Sequence, residues 1–252
     1  MSARAVVVLP TYNEIESLPE VVRRIRASAP SVDVLIVDDN SPDGTGELAD
    51  DMSSTMPQVH VLHRRAKEGL GRAYIAGFAE ALERGYESVV QSDADGSHRP
   101  EDLPALLAAG EEADVVVGSR WVTGGTVGAW SFARYLLSRA GSRYAGLMLR
   151  LPQKDITGGY RVFRADALRA IEFEDVRSAG YCFQIEMLDR AVQSGCRVTE
   201  VPITFDDRLH GESKMSGRII VEALRQVTAW GLQRRFGRSR SVVRSADEVA
   251  RV

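Results

Sequence analysis

Ser88-Val89-Val90-Gln91-Ser92-Asp93-Ala94-Asp95 is a short apolar run that breaks at once into paired carboxylates. A run this short, bounded by polar residues, reads as a buried strand, with the acids in the loop at its C-terminal end. Two upstream stretches share the arrangement. Ala5 to Leu9 leads into Pro10-Thr11-Tyr12-Asn13-Glu14, and Val32 to Val37 leads into Asp38-Asp39. Val59 to Leu62 and Val115 to Val117 are two more strands. Helices fall between them. Ser17 and Glu20 have capping-box spacing for a helix to about Ala29. Thr45 could cap a short helix, Gly71 to Gly85 carries Ala, Phe and Leu on one side, and Pro100 opens another. This alternation predicts an α/β fold, a mostly parallel sheet covered by helices on both faces. Ligands of such sheets bind beyond the carboxyl ends of the strands, where all three polar clusters fall.

After Arg120 the rhythm changes. Gly124, Gly125 and Gly128 mark a loop, and Trp130 to Leu149 is a long patterned segment with Arg134, Arg139, Arg143 and Arg150 on its polar side. A second loop holds Asp155, Gly158 and Gly159. Tyr181 to Ala191 reads as a helix, Arg197 to Ile203 as a strand, Asp206 to Ser216 as a loop, and Gly217 to Arg235 as a last helix. The chain has 252 residues, near the size at which one core stops growing, so one domain spanning 1–235 is expected, with 236–252 a basic tail. Apolar residues make up 44% and charged ones 27%, which suits an ordered body, and the net charge of -3 gives no ground for a nucleic-acid partner. The N-terminal apolar run is too short for a signal peptide, and no apolar stretch has the length of a bilayer, so a cytoplasmic body is expected. Cys182 and Cys196 lack metal-ligand spacing and read as reduced core residues.

A lone Asp-X-Asp is usually a solvated turn. Asp93 and Asp95 follow a buried strand directly and have Asp38-Asp39 on a neighbouring strand end. Like charges so close favour a hard divalent cation that neutralises them and can grip a diphosphate. The first strand runs into Pro-Thr-Tyr-Asn-Glu, not Gly-X-Gly-X-X-Gly, and there is no P-loop, which argues against a dehydrogenase or an ATPase. Gly44, Gly69 and Gly71 read as turn glycines.

LPTYNE, VDDNSPDGT, GLGRAYIAG, QSDADGSHRPEDLP, VVVGSR, DITGGYRVFR, GYCFQIEML and HGESKM, in this order over Ala5 to Arg235, resemble the family 2 glycosyltransferases. The match is strongest to members that place mannose on dolichyl or polyprenyl phosphate. The resemblance implies a GT-A fold, a Rossmann-like sheet with C-terminal amphipathic helices. It also implies inverting, metal-dependent transfer from GDP-mannose to a polyprenyl monophosphate, with Mg2+ or Mn2+. Residues 1–120 would be the nucleotide-binding half and 121–235 the acceptor half. Pro10, Tyr12, Glu14, Val37 and Asp39 would hold guanosine and ribose. Asp93, Ala94 and Asp95 would face diphosphate and metal, with Asp93 and Asp95 as ligands and Asp95 the main one. Arg120 would handle phosphates, Arg134 would face the acceptor phosphate, and Arg208 and Lys214 would lie on a closing loop. Gly96 and Gly158 depart from the family pattern, which has leucine and serine there.

No side chain reads as an obvious general base. His98 follows the acidic loop as a helix entry, and Asp38 could orient the donor. A phosphate monoester is largely dianionic at pH 7, and arginines holding it in line would make it the attacking group. Transfer of glucose or another sugar, and polysaccharide formation using Asp155 or Glu186 as base, are the alternatives, with a non-catalytic sugar-nucleotide sensor a more distant one. The basic, apolar Trp130 to Arg150 segment and Arg225, Arg234, Arg235, Arg238, Arg240 and Arg244 predict peripheral contact with anionic lipid, alone or with a separate integral membrane protein.

Overall fold

The computed structural model describes residues 4–178, 180–207 and 217–236. The strands are β1 (Ala5–Thr11), β2 (Asp33–Asp38), β3 (Val59–His63), β4 (Ser88–Gln91), β5 (Val115–Ser119), β6 (Thr126–Val127), β7 (Arg161–Arg164), β8 (Val198–Pro202) and β9 (Thr204–Phe205). The helices are α1 (Leu18–Ser28), α2 (Thr45–Thr55), α3 (Leu70–Glu83), α4 (Leu103–Ala109), α5 (Phe132–Leu149), α6 (Ala165–Ile171), α7 (Tyr181–Gln193) and α8 (Gly217–Phe236). A seven-stranded sheet runs β3-β2-β1-β4-β7-β5-β8, and β6 pairs with β9 beside it.

Valine-rich strands bury both faces because successive side chains point to opposite sides of a sheet. Val7, Leu9, Val34, Ile36 and Val90 join a core with Leu18, Val22 and Ile25 of α1 and Leu103 and Leu106 of α4. Their neighbours Val6, Val8, Leu35, Val37 and Val89 join the opposite core with Tyr74 and Phe78 of α3 and Phe183 and Met187 of α7. At Gly77 of α3 the helix meets the sheet: a Cβ there would lie 2.4 Å from Val8 Cγ1 and 3.0 Å from Val37 Cγ2. A third cluster joins Val117 to Ala145 and Leu149 of α5, Leu188 of α7 and Val227 of α8.

The expectation of parallel pairing holds for every strand of this sheet but β7. This strand runs antiparallel between β4 and β5, with Phe163 opposite both Val89 and Val115. Its first residue, Arg161, is fully buried. The guanidinium donates to Gly158 O at 3.0 Å, Gln184 O at 2.7 Å and Ile156 O at 2.8 Å. Burial pulls its pKa down to about 10.

Local details differ from the reading as well. Ser17 makes no capping bond to α1; its hydroxyl donates to Glu14 Oε2 at 2.9 Å, while Glu20 accepts from Arg23 at 2.7 Å. Gly44 takes the cap position of α2 with φ +91°, and Thr45 is the first helical residue. Gly71 lies inside α3 and not in a turn, where a Cβ would come within 2.9 Å of Phe183 Cδ2. Cys182 and Cys196 are free thiols.

Candidate active site

At its end β1 outruns β4, whose ladder with it stops at Val8 opposite Gln91. Pro10 therefore sits where its missing N–H leaves no partner wanting. The β1 and β2 loops are laced together. Asp38 accepts from Thr11 Oγ1 at 3.0 Å and from Ser41 N and Oγ at 3.0 and 2.6 Å. Those bonds make Asp38 an organiser of the loop and not a group aimed at a donor. Ser41 Oγ accepts the Asn13 N–H at 3.1 Å, and Thr45 Oγ1 accepts that of Glu14 at 3.0 Å. Asn13 and Asn40 turn the chain with φ of 59° and 57°, a left-handed geometry that asparagine tolerates.

Tyr12 and Asp39 are both met by the segment between β3 and α3, through Lys67 and Arg64. Burial raises the pKa of Asp39, and the Arg64 guanidinium bonded to it works against that rise. Arg64 also pairs with Glu68 at 2.5 Å, and Lys67 places its ammonium 3.7 Å from the Tyr12 ring centre. Val37 differs from the others: its side chain is fully buried against α3, so only its backbone lies at the strand end.

The β4 loop presents the acidic pair. Asp95 Oδ1 accepts from Ser97 N at 3.0 Å and Ser97 Oγ at 2.6 Å, a tight turn in which Gly96 has φ +80°. Glycine suits that left-handed position without strain. Asp93, partly exposed, accepts at Oδ1 from the Tyr74 hydroxyl at 2.7 Å. Burial and the neighbouring carboxylates push the Tyr74 pKa well up. The Asp93 N–H donates to His98 Nδ1 at 2.9 Å, so that nitrogen carries no proton. Burial lowers the pKa of His98 against the pull of Asp93 and Asp95. His98 is a buried brace of the loop and not a base aimed at an acceptor.

Arg120 follows β5 and donates through Nε and Nη2 to the fully buried Asp155, each at 2.7 Å. Asp155 also accepts the Arg120 N–H at 2.9 Å, which occupies a carboxylate that a base role would need. Glu186 is held by Ser178 and Arg190 in the same way. Phe205 links these residues: its ring centre is 5.4 Å from that of His98 and of Trp130, and 5.3 Å from Arg120 Cζ. Arg134 stacks 4.0 Å above Trp130 and pairs with Asp207 at 3.4 Å. Asp206 N–H donates to Ser97 O at 3.0 Å, which ties the residue after β9 to the acidic turn. Arg208 and Lys214 lie outside the described residues. Asp93, Asp95, Arg120 and Arg134 are thus gathered around one aromatic bridge. Tyr74 and His98 inside the quoted motifs were legible only as core aromatics or a helix entry.

Among the described residues no three Asp, Glu, His or Cys side chains meet as a metal cage. Two carboxylates on one turn fit a hard divalent cation that draws its other oxygen ligands from a diphosphate and water, as Mg2+ commonly does.

A mostly parallel sheet with an Asp-X-Asp turn at its ligand-binding edge places this protein in the class of α/β glycosyltransferases. The chain belongs to glycosyl transferase family 2, whose sequence profile matches residues 6–172. It is 55% identical over 233 residues to the undecaprenyl-phosphate mannosyltransferase of Micrococcus luteus, covering 92% of this chain and 96% of that one. It is 50% identical over 243 residues to the polyprenol monophosphomannose synthase of Mycolicibacterium smegmatis, covering 96% and 92%. Among solved structures it resembles the Mycobacterium tuberculosis glucosyl-3-phosphoglycerate synthase in complex with Mn2+, UDP and glucosyl-3-phosphoglycerate, with TM-score 0.66, 21% identity and coverage of 95% and 82%. The Pyrobaculum calidifontis mannosyltransferase in complex with GDP-Man and Mn2+ matches with TM-score 0.62, 19% identity and coverage of 92% and 65%. At such identities these two likenesses speak for the fold alone.

Proposed function

We propose that this protein transfers mannose from GDP-mannose to a polyprenyl monophosphate with inversion, giving a β-linked lipid product. The single observation that carries the reading is the meeting of the Asp93–Asp95 turn with Arg120 and Arg134 across His98, Phe205 and Trp130. The names of the two mannosyl-transferring relatives support the choice of sugar and acceptor.

Pro10, Tyr12, Glu14, Val37 and Asp39 form the nucleoside wall of the nucleotide-binding half, and Ala94 lets the donor diphosphate lie close to the turn. Asp93 and Asp95 would hold Mg2+ or Mn2+, which, when bound, offsets the charge on the departing diphosphate. The acceptor phosphate needs no base, because it is already largely dianionic at neutral pH. Arg134, stacked on Trp130, holds its oxygens in line with the anomeric carbon. Arg120 approaches the same space as half of a buried ion pair, so Asp155 fixes its direction and tempers its charge. Arg208 and Lys214, outside the described residues, would supply the further cations that the resemblance to the family implies.

Docking on lipid completes the reading. Phe132 is 78% exposed, Leu136 54% and Leu147 66%, and the helical period sets them on one stripe of α5 with the exposed Arg139 and Arg143. Apolar side chains among arginines fit an anionic membrane surface. Among the described residues no helix is long and apolar enough to cross a membrane.

The test is a panel of radiolabelled nucleotide sugars offered with polyprenyl phosphate and Mg2+ or Mn2+. GDP-mannose should give the labelled lipid. Faster labelling from a glucose donor would replace mannose in the assignment, and labelling of a free glycan and not the lipid would overturn the acceptor.

A further inference from the structure

We propose that Tyr74 is a positioning residue for Asp93, its hydroxyl fixing which carboxylate oxygen the acidic turn offers to a divalent cation. This inference rests on the reading of Asp93 and Asp95 as the cation's ligands.

The two acids are held by different means. Asp95 is bound by its own turn, through Ser97 N and Oγ. Asp93 receives its side-chain bond from another element, the Tyr74 hydroxyl of α3 at 2.7 Å from Oδ1. That hydroxyl has little freedom. Tyr74 is fully buried, with its ring stacked on Phe183 at 6.0 Å and 6° and on Phe78 at 5.7 Å. Gly71, one turn earlier on α3, lets Phe183 press against the helix, since even a Cβ there would come within 2.9 Å of it. Gly77, almost one turn later, seats the same helix on Val8 and Val37. The donor is therefore delivered from a fixed point of the core to a loop that otherwise has to be held in place.

The consequence is directional. Oδ1 takes the phenol's hydrogen bond, which favours Oδ2 as the oxygen that a cation would take. The Asp93 backbone is braced in turn, its N–H given to His98 Nδ1 at 2.9 Å. A carboxylate oriented before the ion arrives loses less freedom on binding, which is how outer-shell partners raise metal affinity. A tyrosine kept only for packing would need the ring and not the hydroxyl, and Tyr74→Phe separates the two.

Calorimetric titration of the full chain with Mn2+ in the presence of saturating GDP tests this, with Asp93→Asn and Asp95→Asn as companions. Tyr74→Phe should bind Mn2+ roughly tenfold more weakly than wild type, while GDP affinity in chelator stays unchanged. Raising Mn2+ should restore much of its transfer rate. Wild-type Mn2+ affinity in Tyr74→Phe, with both Asn variants impaired, would overturn the role of Tyr74 and leave the cation site standing. Unchanged Mn2+ binding in both Asn variants would overturn the cation site, and the role of Tyr74 with it.

Discussion

Asp189 shows how one buried acid can tie stability to pH. It lies on α7, where Arg234 of α8 donates to it at 2.5 Å and Gln193 at 2.7 Å. Burial nonetheless raises its pKa from 3.8 to about 6, over the opposing pull of Arg234. A raised carboxyl pKa means the folded chain holds the proton more tightly than the unfolded one. The stabilisation is full below about pH 4, the unfolded value, and is lost as pH rises through about 6. Urea unfolding of wild type and Asp189→Asn at pH 5 and pH 7.5 checks this. The wild type should gain on the variant at pH 5, and a gain at pH 7.5 instead would contradict the assignment. The same geometry alters the expectation for Arg234. It reaches Leu149 O at 2.5 Å as well as Asp189, and so fastens α8 to α5 and α7.

At the scale of elements, α3 unites the two sides of the site, because it packs on β1 and β2 through Gly77 and reaches Asp93 through Tyr74. Gly77→Ala should cost about 1–3 kcal/mol by overpacking, read from urea unfolding. A loss near zero would mean that α3 can lift from the sheet freely. The strands that carry the nucleotide edge were legible because β1, β2 and β4 are valine-rich runs that stop at acids or at Pro-Thr-Tyr-Asn-Glu. β7 was not, since a four-residue strand that opens on a buried arginine has no apolar period to read. The capping box misled for a related reason: Ser17 and Glu20 have the right spacing, but Glu14 and Arg23 compete for them. Arg120 was visible as a candidate, whereas its partner lies 35 residues away in sequence and only the fold joins them.

Over the whole molecule, the proposed reaction would bring the acidic edge and the exposed stripe of α5 together, since it joins a soluble donor to a lipid acceptor. Arg134, at the start of α5 and stacked on Trp130 beside Phe205, is where that helix reaches the acidic edge. Flotation with vesicles containing anionic lipid should carry the wild type upward at low salt. Phe132→Ser with Leu136→Ser should weaken the association at least tenfold, since each such side chain contributes about 1.5–3 kcal/mol when fully buried. Equal flotation of the double variant would move the lipid contact elsewhere on the protein.

Transfer measured with and without divalent ions tests the site most directly. Label transfer from GDP-mannose to polyprenyl phosphate should vanish when a chelator removes divalent ions, return on adding Mn2+, and stay absent in Asp95→Asn at the same Mn2+. Undiminished transfer in chelator, or a wild-type rate from Asp95→Asn, would contradict a cation held at the Asp93–Asp95 turn.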